Sequence, residues 1–145
     1  MLPSKEKLEE IVRELARIMR VQDWDIEIVL ANKYQIQEEV GGQENVAGCY
    51  RNLMLHLAKI YLNTDSPEID EWYSSIVHEM YHIVTQDWHY QSKALLDFIS
   101  DETTRENHKN SLDIYYEKTI EMLAKGFVNA YPVTNFIQES ESMSQ

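Results

Sequence analysis

The sequence predicts an α+β fold: a small, mainly antiparallel three-stranded sheet with an N-terminal helix, a central helix and a C-terminal helix. Three observations carry this prediction. The chain opens on a stripe of apolar residues at three- and four-residue steps. Three short β-rich stretches follow in one run, and two further helical stripes close the chain.

The elements follow in order. Leu8, Ile11, Val12, Leu15, Ile18 and Met19 mark a helix from near Ser4 to near Arg20. Trp24 to Leu30 alternates apolar with polar and then turns apolar, which predicts a half-buried strand. Residues 31–45 are polar, contain Gly41-Gly42 and read as a loop. Val46 to Leu62 predicts two strands with a turn at Arg51-Asn52, the second strand including Ala58 to Leu62. Asn63 to Pro67 stops that strand, and a helix starts near Glu68 with an apolar stripe of Ile69, Tyr73, Ile76, Val77, Met80, Ile83 and Val84. Ser92 to Ile99 reads as a short helix and Ser100 to Asn110 as a charged loop. The last helix runs from Ser111 or Leu112 to Ala130, before Pro132, with Ile114, Ile120, Leu123, Ala124 and Phe127 on its apolar side. The expected organisation is one domain over residues 1–137 and a disordered tail over 138–145.

Composition narrows the function. The 145 residues are enough for one domain with a core of its own. A net charge of −12 repels nucleic-acid phosphates, so no nucleic-acid partner is expected. The single cysteine, Cys49, forms no internal disulfide and points to a reducing compartment. The N-terminus is a charged amphipathic helix rather than a signal peptide, and no apolar run reaches the ~18 residues of a membrane span. The expectation is a cytoplasmic protein without a membrane partner; oligomeric state is not encoded legibly.

Residues 75–85, S-I-V-H-E-M-Y-H-I-V-T, carry the chemistry. Positions four apart share a helix face, so His78 and His82 can aim imidazole nitrogens at one point. Zinc takes nitrogen ligands at ~2.0–2.1 Å, and this spacing supplies two. Glu79 is turned ~100° round the helix, where a carboxylate serves as general base toward water without being a ligand. Ser75 lies on the histidine side, away from Ile76, Val77 and Met80. A catalytic zinc site needs a third protein ligand. Trp88 and Thr85 stand where a three-histidine pattern would place His and Gly, and His89 reads as a surface or satisfied histidine. Asp113, Glu117 and Glu121 lie on one face of the last helix; Glu117 is favoured and Glu121 stays open, with a Glu121–Lys125 pair as its ordinary explanation.

H-E-M-Y-H, followed by a helix reading Y-E-K-T-I-E-M-L-A, resembles the zincin metallopeptidases of the gluzincin kind. The nearest resemblance is to the minimal single-domain peptidases of phages, mobile elements and bacterial regulators. The opening helix, W-D-I-E-I-V, the Gly-Gly loop and A-K-I-Y-L-N stand in the same order, so the resemblance spans residues 5–130, although only H-E-x-x-H is specific. It implies a zinc-dependent peptidase acting on a peptide or protein substrate, with Zn2+ held by His78, His82 and Glu117 and with Glu79 as general base. It also implies that Glu117, Ile120, Leu123 and Ala124 form the third-ligand stretch, or, on a shorter E-x-x-A reading, Glu121 with Ala124, and that residues 57–62 pair with an extended substrate. No N-E-x-x-x-D signature is present, and Tyr115, Tyr116, His89 and His108 are all open as stabilisers of the oxyanion. The alternatives are an inactive zincin-fold binding or regulatory module and, further off, an acidic decoy.

Overall fold

A computed structural model describes residues 1–41 and 46–137. The first helix, α1 (Lys5–Ile18), buries Leu8, Ile11, Val12, Leu15 and Ala16. Ser4 caps it, its Oγ accepting from the Lys7 N–H at 3.2 Å. Arg20 ends it in the left-handed region (φ 60°), which lets the Val21 N–H reach back to the Ala16 carbonyl at 2.8 Å.

Three strands form one mixed sheet in the order β1-β3-β2: β1 (Asp25–Ala31), β2 (Ala47–Asn52) and β3 (Leu57–Asn63). β2 and β3 are antiparallel, as expected for a hairpin. β1, however, runs parallel to β3 along its whole length, from Asp25↔Leu57 to Ala31↔Asn63. The mainly antiparallel sheet is thus corrected to a mixed one. Burial sets the strand order: Ala58, Ile60, Tyr61 and Leu62 are all buried, so β3 takes the centre, whereas β1, with exposed Asp25 and Glu27, lies at an edge; its direction is a long-range pairing that no pattern within the strand encodes. The hairpin turn falls at residues 53–56, just beyond Arg51-Asn52, with the Asn52 side chain accepting from the Leu55 N–H at 3.1 Å.

Residues 31–45 are not all loop. They hold α2 (Lys33–Glu39), opened by a reciprocal cap in which Asn32 and Gln35 exchange side-chain and backbone hydrogen bonds, each 3.0 Å. Ile36 is its one buried residue, so no apolar stripe announced it. With Val40 it packs over Ala31 and Tyr61 on one sheet face. A Cβ on Gly48 would meet Ile36 and Val40 at 3.3 Å, so glycine there allows the close approach. Gly42 of the expected loop, and the expected tail at 138–145, lie outside the described residues.

The opposite sheet face carries the rows Ile26–Ala58–Arg51, Ile28–Ile60–Cys49 and Leu30–Leu62–Ala47. This face joins α1 and α3 (Trp72–Val84) in the main apolar cluster. α3 follows a 3-10 turn at Ile69–Glu71 and buries Trp72, Tyr73, Ile76, Val77, Met80 and Ile83, while Val84, expected in the stripe, is exposed. α4 (Gln86–Leu96) is longer than the expected short helix. The expected charged loop at 100–110 is instead the start of α5 (Glu102–Ala130), because Asp101 caps it through the Thr104 N–H at 2.8 Å. Its charged first turns face outward, which gives them no apolar period to read. Further on, α5 buries Tyr116, Ile120 and Ala124, whereas Ile114 and Leu123, expected on the buried side, are exposed. Among the described residues no helix is long and apolar enough to cross a membrane.

Ile120 is fully buried at the centre of the α5 face. Its replacement by alanine is expected to cost about 2–5 kcal/mol, read as a lower urea midpoint; a midpoint equal to wild type would show that α5 is not held through this face.

Candidate metal centre

α3 carries its two chemistries on different faces. Ile76, Val77 and Met80 have no exposed surface, while Ser75, His78, Glu79 and His82 line a cleft of about 1040 Å³ between α3, α5 and β2. The α5 face that buries Tyr116, Ile120 and Ala124 turns Glu117 and Glu121 toward the same cleft. His78, His82 and Glu117 come together, each offering one ligand atom within 4.8 Å of the others. Glu121 lines the cleft but stands outside that group and pairs with Lys125 at 3.3 Å. Asp113 is engaged by His89 at 3.2 Å and by Lys93 at 3.3 Å.

The distances within the group are informative. His78 Nε2 is 3.6 Å and His82 Nε2 is 3.4 Å from the two oxygens of Glu117. Both exceed the ~2.7–3.2 Å of an N–H···O hydrogen bond. Donors held at ~2.0–2.1 Å round a tetrahedral centre stand about 3.3–3.4 Å apart.

Proton accounting sharpens this. The Thr85 hydroxyl donates to the Tyr81 carbonyl at 2.7 Å and also meets the Tyr116 hydroxyl at 2.7 Å. Thr85 has one proton, so Tyr116 donates to it. Tyr116 also lies 3.2 Å from His82 Nδ1 and must there accept. His82 therefore holds a proton on Nδ1. In the neutral ring Nε2 then presents a lone pair to the Glu117 carboxylate, and two acceptors face each other. A proton on Nε2 or a cation between the groups relieves that repulsion. The donor set of two imidazoles and one carboxylate suits zinc and leaves a fourth position free.

Charge follows the geometry. The imidazoles of His78 and then His82 hold the Glu117 carboxyl well below the usual carboxylate range, against the effect of its partial burial. Glu117 in turn raises His78, with burial opposing. Glu79 is only 9% exposed, and among the described residues no donor is hydrogen-bonded to its carboxylate. Burial pushes its pKa up, while His82, His78 and Arg51 pull it down. Cys49 is no candidate ligand: burial and then Glu79 push its thiol up to about 12.

The structure departs from the sequence reading in two places. Residues 57–62 cannot take an added strand, because β3 is already paired on both sides. The strand lining the cleft is β2, through Ala47, Gly48, Cys49 and Arg51, and among the described residues its outer edge is unpaired. The four open oxyanion candidates do not line the cleft. Tyr115 is exposed on α5, as is His108; Tyr116 is committed to His82 and Thr85; His89 stacks on Tyr116 at 3.7 Å. Arg51 and Thr85 were missed, and Tyr116, weighed only as an oxyanion stabiliser, instead hydrogen-bonds His82 and Thr85. For Arg51 the available signal was its two-residue step from Cys49 and Ala47. Comparison with protein-family models, curated proteins and solved structures gives no match.

Two outcomes follow. Glu117 makes His78 easier to protonate, and a metal needs the neutral ring, so the affinity of this group for a divalent ion is expected to fall as pH drops through the imidazole range. Titration calorimetry at stepped pH reads this; a constant affinity would remove His78 from the ligand set. Tyr116→Phe removes the hydroxyl bonded to His82 and is expected to weaken divalent-ion binding in the same titration about 10–100-fold with the fold intact.

Proposed function

We propose that the chain is a zinc-dependent peptidase of zincin-like architecture, with His78, His82 and Glu117 as ligands and Glu79 as general base. The observation that supports it best is the facing of two imidazole nitrogens and a carboxylate at 3.4 and 3.6 Å beside a buried Glu79 that has no hydrogen-bond donor among the described residues. A buried carboxylate without a donor is costly. A water held in the cleft supplies the missing donor and is the nucleophile a hydrolase needs.

Zinc, when bound, supplies a Lewis acid that acidifies water and polarises a carbonyl. The protein's own groups do the rest. Glu79 accepts a proton from water as the water oxygen bonds to the peptide carbonyl carbon. It then delivers that proton to the amine nitrogen as the C–N bond breaks. The raised pKa of Glu79 makes its carboxylate a stronger base toward water in the first step, and its carboxyl is still far more acidic than a protonated amine, so the proton passes on readily in the second. The Tyr116–Thr85 chain keeps the His82 proton on Nδ1 and its Nε2 available. An extended peptide pairs with the free edge of β2, whose backbone lies along the cleft. Nucleic acid is a poor substrate for a chain of net charge −12.

Metal analysis and a peptide digest test the reading together. Wild type is expected to carry one zinc per chain and to cleave a degenerate mixture of end-blocked peptides. Glu79→Gln keeps the zinc and loses about 10²–10⁴-fold in rate. Glu117→Ala loses the metal whereas Glu121→Ala retains it. Absence of stoichiometric metal from the wild type would end the proposal.

A further inference from the structure

Arg51 is a half-buried guanidinium in the cleft, and nothing in the fold accounts for it. The register sets its direction. Arg51 shares a sheet face with Cys49 and Ala47 and stands opposite Ala58, so it lies on the side covered by helices and not on the α2 side. It lines the cleft together with Glu79 and His82, and its charge acts on Glu79, Cys49, Tyr116 and His89. Among the described residues it makes no hydrogen bond and no ion pair. This is unusual in a chain with 25 acidic and 13 basic residues, where carboxylate partners abound.

A cation beside a divalent metal site is repelled by it. Part of its charge steadies the Glu79 carboxylate; beyond that, such a group is useful where negative charge arrives during the reaction. Peptide hydrolysis has one such place: the carbonyl oxygen, which becomes an oxyanion as water adds to its carbon. The tyrosines and histidines that could have served it are committed elsewhere or face away. Of the other side-chain donors lining the cleft, Lys125 is engaged with Glu121, Ser74 and Asn129 are exposed, and Ser75 offers a neutral hydroxyl. Arg51 alone among them is permanently charged and uncommitted.

We infer that Arg51 is the oxyanion donor of this site, its guanidinium donating to the substrate carbonyl oxygen on the β2 side while Glu79 handles the proton. This rests on the peptidase reading. It makes Arg51 a catalytic residue and gives β2 a second role, since one strand then both pairs with the substrate backbone and stabilises the charge that develops on it.

The test uses the zinc-loaded full-length protein, Arg51→Met and Arg51→Lys, each checked first for zinc content. One probe is an end-blocked peptide phosphinate, a tetrahedral anion; the other is the planar amide of the same sequence. Arg51→Met is expected to lose about 100-fold in phosphinate affinity with amide affinity unchanged, and about 10²–10³-fold in kcat on the degenerate peptide mixture with KM little altered. Arg51→Lys, with its charge retained and its fork lost, falls between. Equal weakening toward both probes, or a raised KM with unchanged kcat, would make Arg51 a substrate anchor and overturn the inference. So would unchanged phosphinate affinity in both variants. A wild type without zinc would instead overturn the peptidase reading, so the two failures are distinguishable.

Discussion

The packing of α5 across α3 is the constraint on which the site depends. Tyr116, Ile120 and Ala124 recur every four residues and are buried, which sets the rotation of α5 about its own axis. With that rotation set, the next residue round, Glu117, faces His78 and His82. Glu121 is one turn further on and reaches Lys125 instead. The same interface delivers the Tyr116 hydroxyl to His82, so one packing decision places both the third carboxylate and the group that orients an imidazole. A change in the rotation of α5 would dismantle both at once.

Electrostatics explains why these groups stay poised. Glu117 is more than half exposed, yet its carboxyl is held low because two imidazoles stand before it. Glu79 is shielded and pushed the other way. Two glutamates on neighbouring helices are thus driven apart by environment, one toward permanent charge and the other toward proton transfer. Arg51 moderates the burial of Glu79 without bonding to it, which leaves its own donors free for a ligand. Cys49, between Ala47 and Arg51 on the same sheet face, stays a protonated, buried thiol and behaves as core.

The sheet has an equally direct logic. β3 is buried along most of its length and so lies between the other two strands, which leaves β2 at the edge beside the cleft. Gly48 lets α2 close down on the far face of β2, so this edge strand is backed on one side by α2 and faces His78, His82 and Glu117 across the cleft on the other. The edge beside the cleft is therefore the strand with the weaker apolar pattern. Reading hydrophobicity alone selects β3 for a role that only an unpaired strand can perform.

What the sequence determined by itself is local. Ser4 and the 8-11-12-15 stripe define α1, and the four-residue step from His78 to His82 puts two nitrogens on one face wherever the helix packs, because helical geometry depends only on neighbours in the chain. Three strands and the end of the last helix are legible for the same reason. α2 and the first turns of α5 were not, since each rests on a capping side chain, Asn32 or Asp101, and little apolar burial. Tertiary structure alone decided that β1 runs parallel to β3, that Glu117 rather than Glu121 meets the histidines, and that Arg51 enters the cleft. Each of those is a distance between elements far apart in sequence, set by how buried faces fit together, and no periodicity within one segment encodes it.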